Sequence, residues 1–153
     1  MNRVLKIVFS SLLFLIVNGM LYGQITPEST KIAGKWLSAN GNYVVEIYPD
    51  REHAEFRGRI IQIRNAPNGG STLTDVNNPD ESLRKKPLIG MDILSGLEYD
   101  GDSRWSGGEL YHPRTGKSFS CKFKMLDINR LESTAYIGFS FIGKTRVWTR
   151  YKG

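Results

Sequence analysis

Side chains rich in oxygen crowd one stretch of this 153-residue chain, where Asp75, Asn77 and Asp80 are spaced as calcium ligands can be. An EF-hand loop also needs Gly at its sixth position and Glu at its twelfth. Counted from Asp75, those positions hold Asp80 and Lys86, and Pro79 stands fifth, so the motif fails. The whole stock of Cys and His is one Cys and two His. His53 and His112 fall in predicted turns with no third ligand nearby, so no metal and no cofactor is expected. Cys121 is the lone thiol. In residues 119–125 the odd positions are apolar and the even ones are Ser120, Lys122 and Lys124. That alternation puts Cys121 on the inner face of a half-buried strand, where burial raises its pKa and disfavours a nucleophile. No Gly-x-Ser-x-Gly elbow, phosphate-binding Gly loop or His-Glu-x-x-His occurs. Carboxylates are left: Glu46, Glu98 and Glu109 lie in or near strands. Glu109 shares parity with Trp105 and Tyr111, so an inward face there would make it a buried acid.

Positioning such groups requires a framework, and the chain supplies one after an address. Residues 1–23 carry Arg3 and Lys6, an apolar stretch of about 11 to 16 residues and a small residue at Gly23. This is the pattern of a cleaved secretory signal peptide, and the apolar stretch is short for a bilayer span of about 20 residues. The expected division is residues 1–23 as signal peptide and 24–153 as one β-barrel domain, exported to the periplasm or secreted. The membrane then enters only through the transient signal. Removing residues 1–23 takes two cations from the formal charge of +6 and leaves +4. Such a small charge, spread over most strands, does not argue for nucleic acid. Lys117, Lys122 and Lys124 read as a solvated sheet face.

Period-2 alternation recurs along the rest. Tyr43, Val45 and Ile47 form one inward row, and Phe56, Gly58 and Ile60 form another, before Ile61 and Ile63 switch sides as at a bulge. Further rows are Met91, Ile93, Leu97 and Tyr99, and then Leu131, Ala135 and Ile137. Turn signals separate the rows: Asn40-Gly41-Asn42, Asp100-Gly101-Asp102, Pro113 to Gly116, and Asp127-Ile128-Asn129. The intervals, about 10 to 15 residues, are too short for crossover helices. The reading is all-β: an antiparallel up-and-down barrel of about eight to ten strands, favoured over a sandwich by glycines within the strand patterns.

Residues 65–87 break the rhythm. Asn78 as N-cap, Pro79 at the first helical position and Glu81 as capping-box acid predict one short helix, with Arg84, Lys85 and Lys86 in its last turn and Pro87 ending it. A long connection of this kind is either a functional lid or a plug for one end of the barrel.

The remaining constellation joins the two ends of the barrel: Gly34-Lys35-Trp36 at the start, and Arg146, Trp148 and Arg150 on the last strand. A last-strand Arg stacked on an N-terminal Trp closes a barrel end through a cation–π contact. This two-point signature resembles the calycin superfamily of lipocalins, fatty-acid-binding proteins and avidins. A wider resemblance, to the bacterial domain of unknown function 2147 family, covers nearly all of residues 24–153. It rests on Gly34-Lys-Trp36, Gly58-Arg59-Ile60, Asp75 through Asn78-Pro79-Asp80, Leu83-Arg84 and Pro87-Leu88-Ile-Gly90. It continues through Trp105-Ser-Gly107-Gly108, Tyr111 to Lys117, Tyr136-Ile-Gly138, and Gly143 to Arg150. His112 stands where an Asp is common, and Cys121 where a small residue is. The resemblance implies an exported, lipocalin-like barrel and carries no activity with it.

Three functions fit these observations. The preferred one is a non-enzymatic envelope protein that binds a small apolar or amphipathic ligand in the barrel, with Trp105, Glu109, Tyr111, Arg84 and Tyr136 as candidate contacts. The second is an enzyme acting on an envelope carbohydrate or lipid through carboxylates such as Glu109, with Arg84. The third is an interaction module presenting the turn from Tyr111 to Lys117.

Overall fold

The structure is a computed structural model and describes residues 25–138 and 143–153. The signal-peptide expectation for residues 1–23 lies outside them. Eight strands follow in order: β1 (Gly34–Leu37), β2 (Tyr43–Asp50), β3 (Glu55–Ile63), β4 (Asp92–Gly101), β5 (Arg104–His112), β6 (Lys117–Asp127), β7 (Arg130–Tyr136) and β8 (Gly143–Arg150). Each pairs antiparallel with the next, and β8 returns to β1, so the sheet closes into a barrel. The closing seam is short, with Trp36 opposite Arg150 and Leu37 opposite Thr149.

The rows of β2 and β3 become the inner face, but Ile137 lies beyond the end of β7 and is 74% exposed, and on β4 Leu94 rather than Ile93 pairs with the inward Gly58. Trp36, Val45, Ile47, Phe56, Ile60 and Leu94 join Trp105, Phe123, Leu131 and Trp148 in one continuous apolar cluster. The bulge expected near Ile61 is present. Val44 pairs with Gln62 but Val45 with Ile60, which leaves Ile61 as the extra residue of β3.

A second irregularity lies at two of the glycines within the strand patterns, where a bend or close backbone approach is expected. Gly96 of β4 and Gly107 of β5 both take positive φ, at 67° and 73°, and face one another across the ladder. Only glycine adopts that conformation without strain. The kink changes parity in both strands at the same level, so Leu94 and Leu97 both turn inward, as do Trp105 and Gly108. Glu109 is thereby carried to the exposed face, and the buried acid expected from its parity with Trp105 does not exist.

The connection between β3 and β4 lies over one end of the barrel. The short helix expected after Asn78 is only a three-residue 3-10 turn, Glu81–Leu83, and a second such turn spans Pro67–Gly70. The cap is also corrected. Asp80, not Asn78, accepts from the Ser82 N–H, at 2.9 Å. Asn78 Oδ1 accepts from the Asp80 N–H instead, and Glu81 pairs with Arg84 at 3.1 Å. Asp80 and Ser82 bond to nearby backbone and to each other, which competes with helix propagation in so short a segment. The segment is held together as a miniature hairpin. Thr74 bridges to Pro87, the Asp75 N–H donates to the Lys86 carbonyl at 3.0 Å, and the Leu88 N–H donates to the Leu73 carbonyl at 2.9 Å.

Candidate functional site

One end of the barrel is sealed by its own N-terminal segment. The 3-10 turn Ser29–Ile32 lies across it, and two tryptophans hang from that turn. The Trp36 indole N–H donates to the Ile32 carbonyl at 2.8 Å, and the Trp105 indole N–H to the Ser29 carbonyl at 3.2 Å. Arg150 then lies over the Trp36 ring, 3.9 Å from its centroid. Its guanidinium donates to the carbonyls of Ile128, Ala33 and Lys31 at 2.9, 2.8 and 3.2 Å. Gly34 is required beside it, because a Cβ there would stand 2.7 Å from the Arg150 guanidinium. Trp148 contributes to the same end through an edge-to-face contact with Phe123, 5.6 Å between centroids. Arg146 is exposed on β8 and makes no part of the stack; its carbonyl accepts from the Ser133 hydroxyl at 3.4 Å.

Next to this seal the barrel interior is closely packed. Trp36, Trp105, Ile60, Leu94, Leu97 and Leu131 have no accessible surface at all, so no water-sized void touches them. Cys121 is equally inaccessible, and burial, aided by the charge of Glu109, pushes its thiol up to about 12. The expected alternation at Cys121 is borne out.

The opposite end is the mouth, and here a cleft of about 320 Å³ opens between the barrel rim and the 64–91 connection. Tyr43 at the start of β2, Ile63 at the end of β3, and Ala66, Leu73, Val76 and Leu88 give it an apolar lining. Asn42, Arg64, Asn65, Asn77 and Arg114 add polar groups. Part of the apolar lining faces solvent, with Leu73 39% and Val76 64% exposed. Burial raises the pKa of the Tyr43 hydroxyl, the nearby Arg114 charge opposes that, and Asp75 reinforces it.

Two latches fix the connection over the mouth. Asp75 is buried to 1% exposure, and its two carboxylate oxygens accept from the Tyr111 hydroxyl at 2.8 and 2.9 Å. Asn78 Nδ2 adds a third bond at 2.7 Å. Burial, then the bond to Asp75, pushes the Tyr111 hydroxyl up to about 12. In the second latch, the Asn77 side-chain amide donates to the carbonyls of Pro113 and Arg114 at 3.3 and 3.1 Å. The chains approach so closely there that a Cβ on Gly116 would lie 2.0 Å from the Asn77 carbonyl oxygen.

The candidate contacts from sequence are therefore dispersed. Trp105 is at the sealed end, Glu109 is on the outer face, Tyr111 latches the lid, and Arg84 bonds within the lid to the Asn78 carbonyl at 2.8 Å. Tyr136 pairs with Ser120 near the top of β7. None of the five lines the mouth cleft. Arg64 and Leu73, which do, form no pattern in type or spacing, whereas Val76 and Arg114, which also do, fall within the Asp75–Asp80 and Tyr111–Lys117 motifs. Only the length of the 65–87 segment and the turn after Tyr111 pointed toward this end. Among the described residues no group of three or more His, Cys, Asp or Glu is arranged to hold a metal ion.

Comparison with family models matches residues 34–150 to a family described as an uncharacterized protein conserved in bacteria, DUF2147. The chain belongs to the DUF2147 family. In this DUF2147 protein the match runs from the first strand to the last, the span that forms the closed barrel. A search of curated proteins found no match. Among solved structures, the barrel is similar to protein HP1028 from the human pathogen Helicobacter pylori, described as belonging to the lipocalin family. Identity is 23%, the TM-score is 0.69, and the similarity covers 79% of this chain and 83% of that one. The fold is lipocalin-like.

Proposed function

We propose that this protein is an exported binding protein that takes a small amphipathic molecule in its mouth cleft rather than in the barrel interior. The observation that carries the reading is the contrast between the two ends. Side chains pack the barrel interior next to its seal, whereas the mouth keeps a cleft of about 320 Å³ with a largely apolar lining. That volume is at the lower end of the range for small-molecule sites, about 300 to 1,000 Å³. The lipocalin-like fold supports a binding role, and the composition of residues 1–23 supports export.

Native mass spectrometry of gently purified protein, followed by titration with the neutral fluorophore N-phenyl-1-naphthylamine, tests the site. Leu73→Asp and Val76→Asp place charges in the cleft at partly exposed positions and are expected to abolish fluorophore binding. Ile137→Asp, at a residue 74% exposed and outside the cleft lining, leaves binding intact. Binding indifferent to Leu73→Asp and Val76→Asp overturns the reading. For export, N-terminal sequencing of the extracytoplasmic protein should begin near Gln24; a start at Met1 refutes cleavage.

A further inference from the structure

The mouth cleft is not uniformly greasy. Arg64 follows Ile63 at the end of β3, and Arg114 follows Pro113 in the turn between β5 and β6, so two cations reach the cleft from separate parts of the rim. Among the described residues neither guanidinium has an ion-pair or hydrogen-bond partner, unlike those of Arg59 with Glu46, Arg84 with Glu81 and Arg130 with Asp127. No Asp or Glu lines the cleft. The nearest acid, Asp75, is buried and spends both oxygens on Tyr111 and Asn78. It is therefore no partner for either arginine. The amides of Asn42 and Asn65 stand on the same rim, while Leu73 and Val76 leave apolar surface open to water. Unpaired cations beside uncovered apolar surface are the complement of a molecule with an anionic end and an apolar tail.

We infer that the mouth cleft selects amphiphiles with an acidic head, a carboxylate or a phosphate, held by Arg64 and Arg114 while the tail covers Leu73 and Val76. The inference rests on the mouth-cleft reading of function and adds the class of ligand to it. Guanidinium groups suit both heads, because their paired N–H donors match two oxygens of either. The effect of the positive rim already reaches the apolar lining, since Arg114 acts on the Tyr43 hydroxyl.

The test is a titration of the exported protein at low salt with dodecanoate, dodecyl phosphate, neutral dodecyl maltoside and cationic dodecyltrimethylammonium, with inorganic phosphate and phosphatidylglycerol vesicles as further arms. The two anionic amphiphiles are expected to bind at least about tenfold more tightly than the neutral one and to lose that advantage as salt is raised. Arg64→Gln and Arg114→Gln, both at exposed positions, should each weaken anion binding about tenfold and leave the neutral amphiphile unchanged. If the neutral compounds bind but the anions show no preference, the cleft reading stands and this inference falls. If no amphiphile binds, both fall. A preference that persists in the doubly substituted protein overturns the role of these arginines. Inorganic phosphate binding as tightly as dodecyl phosphate, or vesicles binding where monomers do not, overturns the bound amphiphile in favour of a bare anion site or a bilayer surface.

Discussion

Replacing Tyr111 with Phe removes one hydroxyl and leaves the ring, so it isolates the bond that holds the lid to the barrel. Asp75 is 1% exposed and loses the donor that reaches both of its oxygens, at 2.8 and 2.9 Å; Asn78 Nδ2 alone remains. A hydrogen bond to a charged group contributes about 1.5 to 3 kcal/mol, and a buried acceptor left short of partners carries a desolvation penalty of similar size. Taking about 2 kcal/mol, the opening equilibrium of the lid rises roughly thirtyfold, at 1.4 kcal/mol per factor of ten. Most of the cost falls on the lid, because its remaining ties are a few backbone bonds and the Asn77 amide. Native-state hydrogen exchange reads this directly. The amides of Asp75 and Leu88, which donate to Lys86 and Leu73, should exchange about thirtyfold faster, with those of β6 and β7 unchanged. Adding Asp75→Asn to Tyr111→Phe should cost less than the sum of the two single substitutions. Lid amides that exchange as in the parent protein, or a uniform loss across all strands, would refute the latch.

Arg150→Lys keeps the charge but cannot reproduce three carbonyl bonds and the stack on Trp36; a loss of about 2 to 4 kcal/mol in urea unfolding is expected, and a loss below about 0.5 kcal/mol would contradict the seal. His53 lies 3.0 Å from the Asp50 carboxylate, whose hydrogen bond raises the imidazole's pKa while lowering that of Asp50. The raised His53 value means stabilisation present below about 6.5 and lost as pH climbs through the folded-state midpoint; the lowered Asp50 value means stabilisation lost as pH falls through its own. An NMR titration should place the His53 midpoint above about 6.5 and bring it down in Asp50→Asn, and a midpoint at or below that value refutes the pair. Cys121, with its thiol pushed up to about 12, should resist iodoacetamide in the native protein and react fully in denaturant. Rapid labelling of the folded chain would show that the interior opens.

The barrel was legible because its determinants are local. Alternation at Tyr43, Val45 and Ile47, and turn residues such as Asn40-Gly41 and Asp127-Ile128-Asn129, specify strands and hairpins within a few residues of themselves. The Trp36–Arg150 stack was readable too, as two residue types at the two ends of the barrel sequence. What escaped depends on two segments acting together. The kink at Gly96 and Gly107 exists only because both strands turn at one level, and a count along β5 alone puts Glu109 on the wrong face. The lid was visible as an interruption, but its short-helix reading treated Asn78, Glu81 and the basic run as one local element. The folded segment instead directs Asp75 to Tyr111 and Asn77 to the Pro113 turn, each 36 residues away. Arg64 and Arg114 both come to line the cleft for the same long-range reason.

The seal has a consequence for the order in which the chain can assemble. Arg150 grips Lys31 and Ala33 across separations of 119 and 117 residues, while strands β1 to β8 otherwise pair with sequence neighbours. Seven hairpins can form early, but the last seam must wait for the end of the chain and bears the largest loop-closure entropy. A nascent chain lacking β8 therefore has no guanidinium to stack on the Trp36 ring and no closing strand for β1. Because Trp36 and Arg150 are neighbours in space, a circular permutant that links the two ends of the barrel and opens the turn between β6 and β7 would turn this slowest contact into a local hairpin. Such a chain would, however, make the seven-pair β6–β7 ladder its long-range seam in place of the two-pair β1–β8 one, so it should fold more slowly than the natural one at nearly equal stability.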